Sequence, residues 1–176
     1  MKLHTFAGAS LVVASLLATA TPMLGKGNRV QLPAAAEKTF NATFPKAKID
    51  KVDVDEENGV TVYDVEFRDG ALETEADIAA DGTMLEVTIV VDAKAVPAAA
   101  MKAIDKAATG ATIQRIERIE LSHETKDGKV IKLPAPLTHY AAGMARGDDR
   151  AEIVVDSEGS VVEPAKWDTK EENKGL

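Results

Sequence analysis

"LPAAAEKTF" (Leu32–Phe40) and "VPAAAMKAI" (Val96–Ile104) open alike, with an apolar residue, a proline and three alanines. Each reads as a helix start. Proline is tolerated in the first helical turn, where its missing N–H is not needed, and alanine is the strongest helix former. Leu32, Ala36, Phe40 and Phe44 recur at helical spacing in the first stretch. Val96, Ala99, Ala100, Ala103, Ile104 and Ala107 form the stripe of the second. "FPKAK" ends the first helix, because proline disfavours helical geometry in the residue before it. Gly110 is expected to cap the second.

The match extends beyond the helices. A shift of about 64 residues lays "AKIDKVDVDEE" (from Ala47) over "ATIQRIERIEL" (from Ala111). Further on the shift grows to about 77, so that Tyr63 meets Tyr140 and "ADIAADGTMLE" meets "AEIVVDSEGSVVE". A period this long is not that of a solenoid, and the reading is a tandem duplication of a small domain. The first copy is expected at 32–92 and the second at 93–165, with a disordered polar tail over 166–176 that carries Trp167.

After each helix the pattern turns to strands. Segments at 48–56, 59–68, 71–80 and 83–91 are separated by Asn58-Gly59, Asp69-Gly70 and Asp81-Gly82, strong hairpin signals. The second copy repeats this at 112–123, 129–146, 149–156 and 160–163, with Pro134 and Pro136 confining its second strand to an edge or breaking its start. The fold class is therefore α+β: tandem repeats of one helix packed on a four-stranded antiparallel sheet, the two copies packed against each other. Alternation assigns Tyr63, Val65, Phe67, Leu72, Ala76, Ile78, Leu85, Val87 and Ile89 to the covered face. The other face then carries Asp64, Glu66, Glu73, Glu75, Asp77 and Glu86. The corresponding positions of the second copy, His139, Ala141, Gly143 and Ala145, are small and nearly uncharged.

Residues 1–20 read as an address. "MKLH" is a basic n-region, "FAGASLVVASLLA" an apolar core, and Ala18 and Ala20 are the small residues a signal peptidase accepts. The apolar run falls short of the ~20 residues a bilayer span needs. A cleaved signal peptide followed by a linker over 21–31 is expected, with a periplasmic or secreted protein and no membrane span after cleavage. Cleavage removes one lysine from 21 basic residues and nothing from the 29 acidic ones. So acidic a chain repels nucleic acid and anionic lipid surfaces. The absence of cysteine excludes disulfides, thiol catalysis and cysteine-based zinc sites.

Catalytic groupings do not assemble. No relay surrounds His123 or His139, the serines of the mature chain are few, and "GKGNR" lacks Walker spacing. No enzyme and no cofactor are therefore expected. "DVDEENG" (53–59) resembles a calcium loop in its alternating Asp53, Asp55 and Glu57, but its glycine falls seventh rather than sixth. A hairpin turn is the simpler reading. His123 with Glu120 and Glu124 offers a single imidazole and reads as a solvated turn histidine.

The helix opening "LPAAAEKTF", the strand pair "AKIDKVDVDEENGVTVYDVEF" and the closing "DIAADGTMLEV" resemble the PepSY domain, and within it the beta-lactamase-inhibitor-like, PepSY-like periplasmic group. "VPAAAMKAI", "ATIQRIERIEL", "HYAAGM" and "EIVVDSEGSVVE" carry the resemblance through the second copy. What it implies is a helix on an antiparallel sheet, outside the cytoplasm, with a binding or inhibitory role. PepSY domains occur in propeptides of metallopeptidases, and the inhibitor proteins clasp an enzyme with tandem copies. The family has no catalytic residues to carry over; Tyr63, Tyr140, Asp81 and Gly82 match its structural positions.

The expected function is an exported, non-enzymatic PepSY-like module that binds a protein or peptide partner in the envelope and restrains a peptidase or other envelope enzyme. The alternative is an acidic cation-binding or envelope-stress protein that uses the carboxylate-rich sheet face. Candidate cation ligands are Asp64, Glu66, Glu73, Glu75 and Asp77; the bland alternative is a solubilising surface. Candidate partner contacts are Arg115, Arg118, His139, Arg146 and Arg150.

Overall fold

Pro33 and Pro97 stand as N-caps with nearly the same backbone angles, φ −56° and ψ 149° against φ −53° and ψ 141°. They start α1 (Ala34–Thr43) and α2 (Ala98–Ala107), whose first turns are the paired alanine runs. The computed structural model describes residues 30–168, so the expected signal peptide (1–20), nearly all of the 21–31 linker and residues 169–176 lie outside the described residues. Each helix is followed by four strands. These are β1 (Lys48–Glu57), β2 (Val60–Asp69), β3 (Leu72–Ala79) and β4 (Met84–Val90), then β5 (Thr112–Lys126), β6 (Lys129–Arg146), β7 (Asp149–Asp156) and β8 (Val161–Asp168).

All eight strands form one antiparallel sheet in chain order, joined at its middle by β4 and β5. Both helices lie on one face. Under α1, Ala36 and Phe40 pack on Val65, Phe67, Ala76 and Ile78. Under α2, Ala100 and Ile104 pack on Ile116, Tyr140, Ala142, Met144, Ile153 and Val155. Small residues in the first helical turn let the sheet's turns come close. The Gly82 turn between β3 and β4 lies against the backbone of Ala35, and the Gly159 turn between β7 and β8 against that of Ala99.

Several sequence expectations need correction. β8 runs to Asp168, so residues 166–168 are strand rather than disordered tail, and Trp167 packs against the core beneath α2 with Arg146 stacked 4.3 Å from its ring centre. Apolar burial and a cation–π contact hold what a polar composition hid. The C-cap of α2 is Ala108, and Gly110 takes its positive φ two residues later. Leu85 lies on the face opposite the helices, with Val62 and Ala79, because a bulge between β3 and β4 breaks strict alternation. Leu72 is exposed and Tyr63 only half-buried, so neither belongs to the core beneath α1.

The unexpected element is the β5–β6 hairpin. Beyond Leu121 both strands leave the plane of the sheet and cross the face that bears no helix. A shift at Leu121/His123 sets residues 133–136, "LPAP", against a single β5 residue. The two prolines sit where β6 has no further neighbour, since β7 pairing begins only at His139. His123 Nδ1 and Ser122 Oγ both bond to the Met84 carbonyl at 2.9 Å, anchoring the bend to the β4 bulge. On the arm, Leu133 packs on Ile119, Leu121, Ala141 and Val154, and Val130 packs on Val62, Ala79 and Leu85. At the tip, the Gly128 N–H donates to Asn58 O at 2.7 Å, and Asn58 Nδ2 donates to Thr125 O and Oγ1 at 3.1 and 3.0 Å. The arm thus spans from the middle of the sheet to the first hairpin turn.

Candidate functional site

The sheet face opposite the helices gathers carboxylates in rows. Cross-strand register places Asp53 against Asp64, Asp64 against Asp77, and Asp77 against Glu86. In the next row Lys51 faces Glu66, Glu66 faces Glu75, and Glu75 faces Thr88. Like charges directly opposite on adjacent strands, about 4.8 Å apart, repel. The row beyond Asp64 and Asp77 is Val62 and Ala79, which Val130 of the arm helps to cover. The carboxylates therefore lie beside apolar cover rather than on an open surface.

Their electrostatics follow. Burial, then the charges of Glu66 and Asp53, pushes Asp64 up to about 6. Burial, then Asp64 and Glu117, pushes Glu75 up to about 8. Glu86 rises to about 7 through burial, opposed by the Thr88 hydroxyl that donates to it at 2.9 Å. Asp77 is raised well above the usual carboxylate range by burial and then by Glu86 and Glu75. Glu57, beside Thr125 at the arm tip, is raised by burial as well.

The basic residues nearby are engaged elsewhere. Lys51 pairs with Asp53 and with Glu66, which holds its ammonium well above its ordinary range. Arg115 binds Glu73 at 2.9 Å and Glu117 at 2.6 Å; Arg68 binds Glu73 at 3.0 Å. None of these ion pairs reaches Asp64, Glu75, Asp77 or Glu86.

Of the five acidic candidates from the sequence, the structure draws Asp64, Glu75 and Asp77 into one group, with one oxygen of each within 4.8 Å of the others. Asp64 and Glu66 form a second such group with Asp53. Glu73 is apart, held by its two arginines. Glu86 stands on this face as alternation implies, whereas Asp53 joins the row only through the register of β1 on β2. The "DVDEENG" stretch is a strand end and hairpin turn, with positive φ at Asn58 and Gly59, and gives Asp53 to the ladder instead of forming a loop.

The partner candidates do not converge. Arg118 pairs with Glu120 at 3.1 Å and shares the helix face with Arg146, whose guanidinium lies over Trp167 and 3.7 Å from Asp149. Arg115, His139 and Arg150 lie on the other face. His139 is half-buried, its pKa lowered by burial and partly restored by Asp156. Arg150 folds back onto the Gly147 and Asp149 carbonyls at 2.9 and 3.0 Å. The second half of that face is more apolar than alternation implied: Ala141 and Val154 are buried beneath Leu133. No helix among the described residues is long and apolar enough to cross a membrane.

Residues 28–62 and 61–162 match the family described as "Putative beta-lactamase-inhibitor-like, PepSY-like". A DUF2874 family protein from Bacteroides uniformis superposes with a TM-score of 0.59 at 14% identity, covering 78% of this chain and 90% of that one. A protein from Bacteroides eggerthii, described as among "putative periplasmic proteins", gives 0.60 at 13% identity, with 78% and 90% covered. A BLIP-like protein from Bacteroides fragilis gives 0.56 at 12% identity, with 81% and 91% covered. At these identities the likeness is one of fold. No curated protein matches. With the family match running through both helices and nearly the whole sheet, the chain belongs to the beta-lactamase-inhibitor-like, PepSY-like family.

Proposed function

We propose that the protein is an exported, non-enzymatic binding module that engages a protein or peptide partner in the cell envelope and restrains a peptidase or other envelope enzyme. The observation that carries this reading is the sheet face that no helix covers. Both helices occupy the other side, and this one carries an acidic half and a hairpin arm packed over the buried Ile119, Leu121, Ala141 and Val154. Leu137 and Ile131, on β6 and the arm, are exposed to 44% and 38% and give a partner apolar surface to cover. The signal-like first twenty residues support export, as does the description of the Bacteroides eggerthii relative.

We further read residues 32–92 and 93–165 as two copies of one module. The matched caps at Pro33 and Pro97, and the matched turn contacts Gly82–Ala35 and Gly159–Ala99, support this.

The test is affinity capture from the source envelope extract with the natural chain and with a Leu137→Glu, Ile131→Glu variant in parallel. A partner retained by the natural chain and lost with the variant is the expected result. Equal retention by both would move the interface away from this face, and no retained partner would remove the reading.

A further inference from the structure

β1 and β8 are the two ends of the sheet, and the outer edge of each offers unpaired backbone N–H and C=O groups to a further strand. Pro164 interrupts β8, and the free edge of the β6 arm carries Pro134 and Pro136. Proline removes a ladder donor, so both stretches resist strand addition. β1, Lys48–Glu57, has no proline. It displays two large apolar side chains, Ile49 at 38% and Val54 at 41% exposure. Lys48 and Asp50 on the same strand are exposed, and neither has an ion pair or side-chain hydrogen bond among the described residues.

A bulge decides which face each of these side chains takes. Ile49 lies opposite Phe67 and Val52 opposite Val65, so both share the helix face although strict alternation would part them. Lys48, opposite Arg68, and Asp53, opposite Asp64, share the other face for the same reason. The register shift between Ile49 and Lys51 inserts Asp50 and resets the alternation. Read outward from the point between Asp50 and Lys51, β1 is then self-complementary. Asp50 mirrors Lys51, Ile49 mirrors Val52 on the helix face, and Lys48 mirrors Asp53 on the other face. One step further out, Ala47 mirrors the exposed Val54.

We infer that β1 is a self-association edge: a second copy of this chain adds its own β1 antiparallel to it, about a two-fold axis perpendicular to the sheet between Asp50 and Lys51. Each Lys48 then stands opposite Asp53 of the second copy, and each Ile49 opposite Val52 of the second copy. Two-fold symmetry forms every one of these pairs twice. Opposite charges and apolar side chains set directly across two strands attract, whereas like charges there repel. Moving the axis one residue toward the N-terminus would set Lys48 against Lys51 instead. The result is one continuous sheet whose two open faces lie on the same side. A seam of one strand from each copy is small, so the dimer belongs to the weak, transient class of interface. The seam stands independently of any other protein partner.

The experiment is sedimentation equilibrium of the purified protein at micromolar to millimolar concentration. A reversible monomer–dimer equilibrium is the expected result. Lys48→Glu and Asp53→Lys, each alone, set like charges across the seam twice and should weaken the dimer about 10-fold or more. Both positions are on an edge strand, and circular dichroism checks that the variants fold. Mixed in equal amounts, the two variants should recover a dimer close to natural strength, because each supplies the charge that the other lacks. Monomer throughout the concentration range would overturn the proposal. So would dimers that neither variant weakens, or a mixture that associates no better than its components.

Discussion

A Cβ placed on Gly159 would lie 2.5 Å from the carbonyl oxygen of Ala99, closer than any real contact permits. Gly82 stands in the same relation to Ala35, at 2.7 Å. Both glycines have positive φ, 82° and 89°, where an L side chain is already strained. Beside Gly82, Thr39 Oγ1 donates to the Gly82 carbonyl at 2.7 Å, fastening helix to turn. The turns at Gly82 and Gly159 are therefore docking points for the first turn of each helix. Gly82→Ala and Gly159→Ala should each destabilise by about 2 kcal/mol or more, combining left-handed strain with a backbone clash. Urea unfolding reads this. A loss below about 0.5 kcal/mol at both positions would show that the helices are not held by this contact.

The acidic row dictates how stability depends on pH. Glu75, Glu86 and Asp64 have folded pKa values raised to about 8, 7 and 6, against unfolded values of 4.5, 4.5 and 3.8. Between each pair of values the folded chain holds a proton that the unfolded chain has released. Stability is then complete below about pH 4 and is lost as pH rises to about 8. His139, with its lowered pKa, pulls the opposite way, and only below 6.5. Asp53, Glu57, Glu66 and Glu117 add negative charge around the row, and Lys51 offsets part of it. In chelator-containing buffer, melting temperature should fall by several degrees from pH 5.5 to 8.5, since about 1 kcal/mol corresponds to 2–4 °C at this size. A flat profile would mean that solvent reaches these carboxylates freely.

Much of this architecture was legible because it rests on local chemistry. Pro-Ala-Ala-Ala starts a helix wherever it stands, and Asn58-Gly59 and Asp81-Gly82 specify turns within a few residues. The acidic face was legible through strict alternation along β2 and β3, which placed Asp64, Glu75 and Asp77 on one side. Alternation failed where a bulge intervened, and Leu85 crossed to the other face. Depth was hidden for a different reason. Val62 and Ala79, the row beside Asp64 and Asp77, are buried with help from Val130 of the bent β5–β6 arm, and no local pattern reports so distant a bend. The prolines of "LPAP" do sit at an edge, where β6 has no outer neighbour, as their chemistry implies; the register shift beside them, which sends the arm across the sheet, has no local signature. Trp167 was hidden similarly, since its polar neighbours outweigh one ring whose partner, Arg146, lies two strands away.

The arm is latched at its tip by Asn58, whose φ of 49° glycine also accepts. Asn58→Gly keeps the turn and the Gly128 N–H bond to the residue 58 carbonyl, but removes both side-chain bonds to Thr125. Each such bond contributes about 1 kcal/mol, so a loss of about 1–2 kcal/mol is expected. Hydrogen exchange localises it: amides of residues 124–130 should exchange faster, while those of β2 beneath α1 stay protected. Equal acceleration throughout the sheet would mean that the latch is part of the global fold rather than a local clasp.

Phe40 tests whether the two halves unfold as one. It is 1% exposed, packs edge-on to Phe67 at 4.9 Å and lies 5.5 Å from Phe44, which itself meets Phe67 at 4.5 Å. Phe40→Ala should cost about 3–5 kcal/mol through lost burial and the cavity left among those rings. Phe44, only partly buried, should cost less. The core beneath α1 shares no buried residue with the core beneath α2, so packing alone would let the halves separate. Backbone pairing of β4 with β5 and the Glu73–Arg115 bridge couple them instead, with Ile119 wholly buried on the opposite face. Breaking that seam would expose backbone groups and Ile119 together, a cost that neither half recovers alone. Phe40→Ala should therefore lower the midpoint of a single unfolding transition monitored at Trp167, far away in β8. A transition at Trp167 unmoved by Phe40→Ala, while circular dichroism shows early loss of structure, would establish that the first half melts independently.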